Sequence, residues 1–229
     1  MRQLLCIACL LLVGSLAQAE VDIDNNVIGS NIPENQHPVI PTVESLTVQT
    51  FDNEADFLAA AGPVETEDLE DEPLIGDCNA GGQTMITLDT FVATSTPAAL
   101  KIPNVDCTGA HNTTAGGQKY LLADTDMGGV SAAVTFTLNA ATNAFGMYAT
   151  DLDSNSLQLT INGLAYTIPP HGNGGQGYFG IVSDDAITSI SMVIVPDFDS
   201  SYGFDDISVG VAATPIEATT WGTIKAVHR

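Results

Sequence analysis

Carboxylates are the reactive groups this sequence holds in surplus. Of its 229 residues, 28 are Asp or Glu and five are Lys or Arg, a formal net charge of −23 at pH 7. Beyond residue 45, three Asp-x-Asp pairs stand out: Asp124/Asp126, Asp151/Asp153 and Asp197/Asp199. So do an acid-rich run at residues 64–72, VETEDLEDE, and the pair Asp205-Asp206. Alternate positions of an extended segment place two carboxylates on one side, and Ca²⁺ takes six to eight oxygen ligands. Asp151-Leu152-Asp153-Ser154-Asn155 copies the opening of an EF-hand loop, but position six is Ser156 and position twelve is Asn162, which excludes that motif. A stronger expectation joins two strands. If the first and last strands of a sandwich lie side by side, Glu67 or Glu70 comes near Asp205 or Asp206. Asp205 shares strand parity with Ile207 and Val209, which predicts an inward carboxylate, costly unless paired or metal-bound. Glu67, Glu70, Asp205, Asp206, Asp151 and Asp153 are therefore the candidate calcium ligands. Each also has a plain alternative as a turn former or a solvated charge.

The other reactive types are sparse. Cys78 and Cys107 are an isolated pair, and in an exported protein such a pair most simply forms a disulfide. His37, His111, His171 and His228 sit in no nucleophile motif, so Ser-His-Asp chemistry is not indicated. Carboxylate pairs for glycoside hydrolysis are available, but 6% aromatic content with one Trp supplies a deep sugar cleft poorly. Tyr148, Tyr166, Tyr178 and Tyr202 offer at most a shallow platform. No phosphate loop, zinc signature or dinucleotide fingerprint is present. The acidic excess repels nucleic acid and anionic lipid, which discounts both as partners.

The elements that must position these groups read as an all-β chain. Arg2, the apolar run 4–13 and Ala17-Gln18-Ala19 form a signal peptide over residues 1–19, which contains Cys6 and Cys9. Residues 20–45 read as an extended leader, 46–211 as one β-sandwich domain and 212–229 as a tail, with no later run long enough to span a membrane. Residues 47–51 predict a strand. Residues 53–61 predict a short helix capped by Asp52 or Asn53 and stopped by Gly62-Pro63. Residues 84–94, containing MITLDTFVA, predict one strand, and residues 119–123 and 131–138 two more. Asn112-Thr113-Thr114 fits the N-glycosylation pattern. Residues 156–161 and 164–168 flank Asn162-Gly163, the strongest short hairpin signal. Residues 178–182, 187–195 and 202–211 complete the set, and such spacing without helical periods predicts an antiparallel, jelly-roll-like β-sandwich with one short helix.

With those residues in view, the chain resembles exported bacterial β-sandwich proteins often found with a PEP-CTERM sorting tail. The matching features are the helix with Phe57-Leu58, the acidic strand VETEDLEDEPL, the strand at Phe145-Gly146 with Asp151, the Asn162-Gly163 hairpin, Tyr178-Phe179-Gly180-Ile181, and Gly203-Phe204-Asp205-Asp206-Ile207. The likeness implies association with exopolysaccharide or matrix. The tail ATPIEATTWGTIKAVHR departs from it, having no Pro-Glu-Pro followed by a membrane helix and an Arg cluster. Residues and resemblance together predict a secreted, non-catalytic module that binds matrix or cell-surface polysaccharide and carries a structural calcium ion. A self-associating surface protein without a small ligand is the alternative, and a polysaccharide-active enzyme comes third.

Overall fold

The computed structural model describes residues 47–96, 99–124, 132–195 and 201–211. The expected signal peptide, leader and tail, and with them Asp126, Asp197, Asp199, His37, Trp221 and His228, lie outside the described residues. The elements are β1 (Val48–Phe51), α1 (Glu54–Ala61), β2 (Val64–Glu67), β3 (Met85–Thr87), β4 (Phe91–Thr96), β5 (Leu100–Lys101), β6 (Leu121–Ala123), β7 (Ala133–Thr150), β8 (Ser156–Ile161), β9 (Leu164–Ile168), β10 (Gln176–Val195) and β11 (Tyr202–Gly210).

Two long strands, β7 and β10, build both layers of an antiparallel β-sandwich. Residues 144–150 of β7 pair with residues 176–182 of β10 and with β11, whereas residues 134–137 pair with 189–192 and with β4. The first sheet therefore runs β1, the N-terminal half of β10, the C-terminal half of β7, then β11. Beyond β11 lie β2 along one half, β6 along the other, and β5 outside β6. The second sheet runs β3, β4, the N-terminal half of β7, the C-terminal half of β10, β8 and β9. The β7–β10 register slips between Val182 and Ile187 and again between Ile187 and Ser189. That is where the sequence predicts a break at Ser183-Asp184-Asp185; the chain answers with a bend in one continuous strand, the usual way for a strand to pass from one sheet to another.

Alternation puts the apolar set inside. Leu157, Leu159 and Ile161 on β8, and Ile190, Met192 and Ile194 on β10, are buried. Phe136 of the second sheet joins the layers. Its ring centroid lies 4.5 Å from Phe91, 6.3 Å from Phe145 and 5.3 Å from Phe204, the last two in the first sheet. The Asn162-Gly163 hairpin forms as read, with positive φ at both residues (51° and 79°) and β8 pairing β9 from Ile161↔Leu164 onward. Residues 84–94 are not one strand but the hairpin β3–β4, closed by Leu88 N–H donating to the Phe91 carbonyl at 2.9 Å.

Helix α1 lies on the outer side of the first sheet. The Asn53 side chain caps it by accepting from Asp56 N–H at 2.9 Å, and Gly62 ends it at φ 73°. Phe57 is the only residue of the helix that is buried. Its seat is a pair of glycines, Gly146 and Gly180, which face each other across β7 and β10. A Cβ on Gly180 would meet three Phe57 side-chain atoms at 2.7–2.9 Å, and one on Gly146 would meet the ring at 2.9 Å. Only glycine leaves room for that ring.

Candidate functional site

β2 does lie beside β11, as expected of first and last strands, but the alternation along β11 is interrupted. Asp205 pairs with Tyr148 and Ser208 with Gly146, so three steps on β11 span two on β7. This is a β-bulge, and Asp206 sits in it at φ 46°. Phe204, Ile207 and Val209 all enter the main core, and Asp205 is left on the outer side with Tyr148 and Ser208. The expected parity of Asp205 with Ile207 is therefore corrected: the bulge shifts it by one. Asp205 is nevertheless 0% exposed.

What buries Asp205 is the long connection 102–120 between β5 and β6. Asp205 Oδ2 accepts from Thr113 N–H, from Thr113 Oγ1 at 2.9 Å and from Thr114 N–H at 3.1 Å. Asp206 accepts from the Thr113 hydroxyl at 2.9 Å and the Thr114 hydroxyl at 2.7 Å. Glu70 Oε1 accepts from Asn112 Nδ2 at 3.0 Å and from the N–H groups of Gln118 and Lys119, both at 2.8 Å. Three of the candidate calcium ligands thus grip one segment, residues 112–119. The Asn112 amide also donates to the Lys119 carbonyl at 2.6 Å, so an N-linked glycan there, which replaces one amide hydrogen, would cost at least one of its two bonds. Glu67 does not join them. It pairs with Ile207, on the face opposite to Asp205, and burial raises its carboxyl despite a bond from Leu69 N–H. Among the described residues, no three of His, Cys, Asp and Glu are grouped to hold a metal ion.

Burial pushes the Asp205 carboxyl up to about 6, against bonds from Thr113 that favour the charged form, and Oδ1 has no partner. The folded state therefore binds this proton more tightly than the unfolded chain does. Stability gained from Asp205 is fully present below the ordinary carboxylate range and is lost as pH rises through about 6. Between pH 7 and pH 4, in EGTA, the wild type is expected to gain about 2 kcal/mol more than Asp205→Asn in urea unfolding. Parallel pH profiles would assign the gain to other groups.

Asp151 and Asp153 lie elsewhere, both in the left-handed region (φ 63° and 47°). Asp151 is 1% exposed; its Oδ1 accepts from Gly174 N–H at 2.9 Å, and burial raises its carboxyl. Asp153 pairs with Gly172. Asp124 of the first Asp-x-Asp pair is bound to buried Lys101 at 2.6 Å. His111, four residues after Cys107, has Nδ1 2.8 Å from the Gly109 carbonyl and Nε2 3.4 Å from Gln176 Oε1. Cys78 and Cys107 are joined in a disulfide, which fixes the start of the same connection.

The open site is an aromatic cleft where the edges of the two sheets meet. It has a volume of about 420 Å³ and is lined from β1 and the residue after it by Phe51 and Asp52, from β9 by Tyr166 and Thr167, and from β10 by Tyr178 and Phe179. Tyr166 packs on Phe179 with ring centroids 5.7 Å apart. Phe179 and Tyr178 are nearly buried, whereas Phe51 and Tyr166 are half-buried and present ring surface. Of the four tyrosines read as a platform, two are here. Tyr148 packs against Tyr178 on the outer side, and Tyr202 is buried with its hydroxyl donating to the Ala132 carbonyl at 2.6 Å. Phe51 and Phe179 were not foreseen, because β1 and β10, which carry them, pair from far apart in the chain.

No family model matches the sequence, and no curated protein does. Among solved structures, the chain is similar to the family 11 carbohydrate-binding module of the cellulosomal cellulase Lic26A-Cel5E of Clostridium thermocellum. The identity is 11% and the TM-score 0.35, over 66% of this chain and 97% of that one.

Proposed function

We propose that the protein is an exported, non-catalytic module that binds polysaccharide in the cleft lined by Phe51, Tyr166, Tyr178 and Phe179. The cleft is the observation that carries the reading. Rings stack on the apolar faces of sugars, and Asp52, Thr50 and Thr167 at the rim supply oxygen partners for sugar hydroxyls. The disulfide supports export, since such bridges persist in oxidising compartments. No helix among the described residues is long and apolar enough to cross a membrane. Calcium is retained as a proposal at Asp205 and Asp151, whose buried Oδ1 and Oδ2 respectively have no partner. A rise in Tm with millimolar Ca²⁺ over EGTA, lost in Asp205→Asn or in Asp151→Asn, supports it, and an unchanged Tm removes it.

The cleft is tested by calorimetric titration with neutral and acidic oligosaccharides. Tyr166→Ala gives up a half-buried ring, and the expected loss in affinity is roughly tenfold or more. Equal binding by the variant sinks the reading.

A further inference from the structure

The second sheet turns an uncharged face to solvent. Its strands β3, β4, β8 and β9, and residues 133–138 of β7 and 187–195 of β10, contain no Asp, Glu, Lys or Arg, in a chain of net charge −23. With Val134, Phe136 and Leu138 inside, the alternate residues point out. The register aligns Met85, Thr94, Thr135, Ser191, Thr160 and Ala165 in one row across all six strands. The Thr135 and Ser191 hydroxyls in its middle are 3.2 Å apart. Thr137 and Ser189 pair in the next row, and Gln158 and Thr167 in the row on the other side. The outward residues are thus uncharged and mixed, with hydroxyls in the middle of the face and exposed Met85, Val193 and Val195 beside them.

Charge chooses the occupant. A second copy brings the same acidic excess. An anionic polymer finds no cation here. A neutral polysaccharide meets neither obstacle, and its hydroxyls, like Ser and Thr, both donate and accept. Thr167 also lines the cleft, so the face and the cleft are continuous.

We propose that this face is a second contact surface, taking the flat side of an insoluble, uncharged polysaccharide. The inference rests on the polysaccharide-binding reading. The test is depletion of the mature chain from solution by microcrystalline β-1,4-glucan and by powdered β-1,4-N-acetylglucosamine polymer, with alginate gel as the anionic comparison. Ser191→Glu and Ser191→Lys each place an unpaired charge at the centre of the face, and exposed Ser191 tolerates both without loss of fold, as an unchanged Tm verifies. Both variants are expected to lose about tenfold or more in retention on a neutral polymer while keeping wild-type affinity for soluble oligosaccharides. Retention equal to wild type overturns the inference. So does a wild type that binds soluble oligosaccharides but neither insoluble polymer, a result that leaves the cleft reading standing. A wild type that binds no saccharide in either form removes both. A dimer in sedimentation that Ser191→Glu and Ser191→Lys abolish assigns the face to a second copy instead.

Discussion

Phe57→Ala is expected to destabilise the protein by about 3–5 kcal/mol, because it empties a fully buried aromatic site. The effect is large for an eight-residue helix because nothing else on α1 is buried. Without that ring the helix keeps its caps, the half-buried Ala61 and a bond from the Tyr148 hydroxyl to Glu54, and its neighbours Phe51 and Tyr178, at 6.1 and 5.9 Å, lose their shared partner. Both neighbours line the cleft, so the loss of stability should come with weaker saccharide binding. The reverse change tests the glycine seat. Gly180→Ala pushes a methyl into the ring and should cost about 1–3 kcal/mol, and that cost should shrink in a Phe57→Ala background, which removes the two ring contacts and keeps the one to Cβ. Additive effects in the urea double-mutant cycle would show that the ring does not rest on Gly180.

Opening the Cys78–Cys107 bridge should cost roughly 3–4 kcal/mol, since the two are 29 residues apart and the cross-link restricts the unfolded chain accordingly. Urea unfolding with and without a phosphine reductant, and of Cys78→Ser/Cys107→Ser, measures it. The bridge holds the connection that buries Asp205, so a second effect follows. Once residues 112–119 can lift away, the Asp205 carboxyl regains water and returns toward its ordinary range. The excess pH dependence between pH 7 and pH 4 should then shrink in the reduced protein. A full pH effect without the disulfide would mean that Glu70, Asp205 and Asp206 hold the segment by themselves.

Local chemistry was legible where one short segment decides the outcome. Asn162-Gly163 fixes its turn by backbone preference, and Asn53 and Gly62 bound a helix by capping alone. Where a decision rests on distant chain, the sequence was silent or misled. The run from Met85 to Thr94 reads as one strand because Ile86, Leu88, Phe91 and Ala93 are all buried, and its turn at Asp89-Thr90 has no glycine to announce it. At β11, the bulge at Asp206 reverses parity, and Asp enters the left-handed region without any signal in the spacing. Glu70, Asp205 and Asp206 were read as calcium ligands with three other carboxylates; in the fold these three bind the backbone, hydroxyl and amide donors of residues 112–119, partners that no spacing announces. The cleft was half legible, since Tyr166 and Tyr178 carry a visible ring and hydroxyl. Their meeting with Phe51 needed the sheet order.

The passage of β7 and β10 through both layers also decides how the molecule comes apart. A sandwich of two separate sheets can slide or peel at the apolar seam between them. Here that seam is crossed by two covalent backbones whose own pairing runs from Thr150↔Gln176 to Val134↔Met192. Amide exchange along these strands should therefore fall in one cooperative unit, with neither layer opening ahead of the other. A pull exerted by a polymer held on the outer face of the second sheet is likewise carried into the first as shear along β7 and β10, the direction in which many ladder bonds must break together.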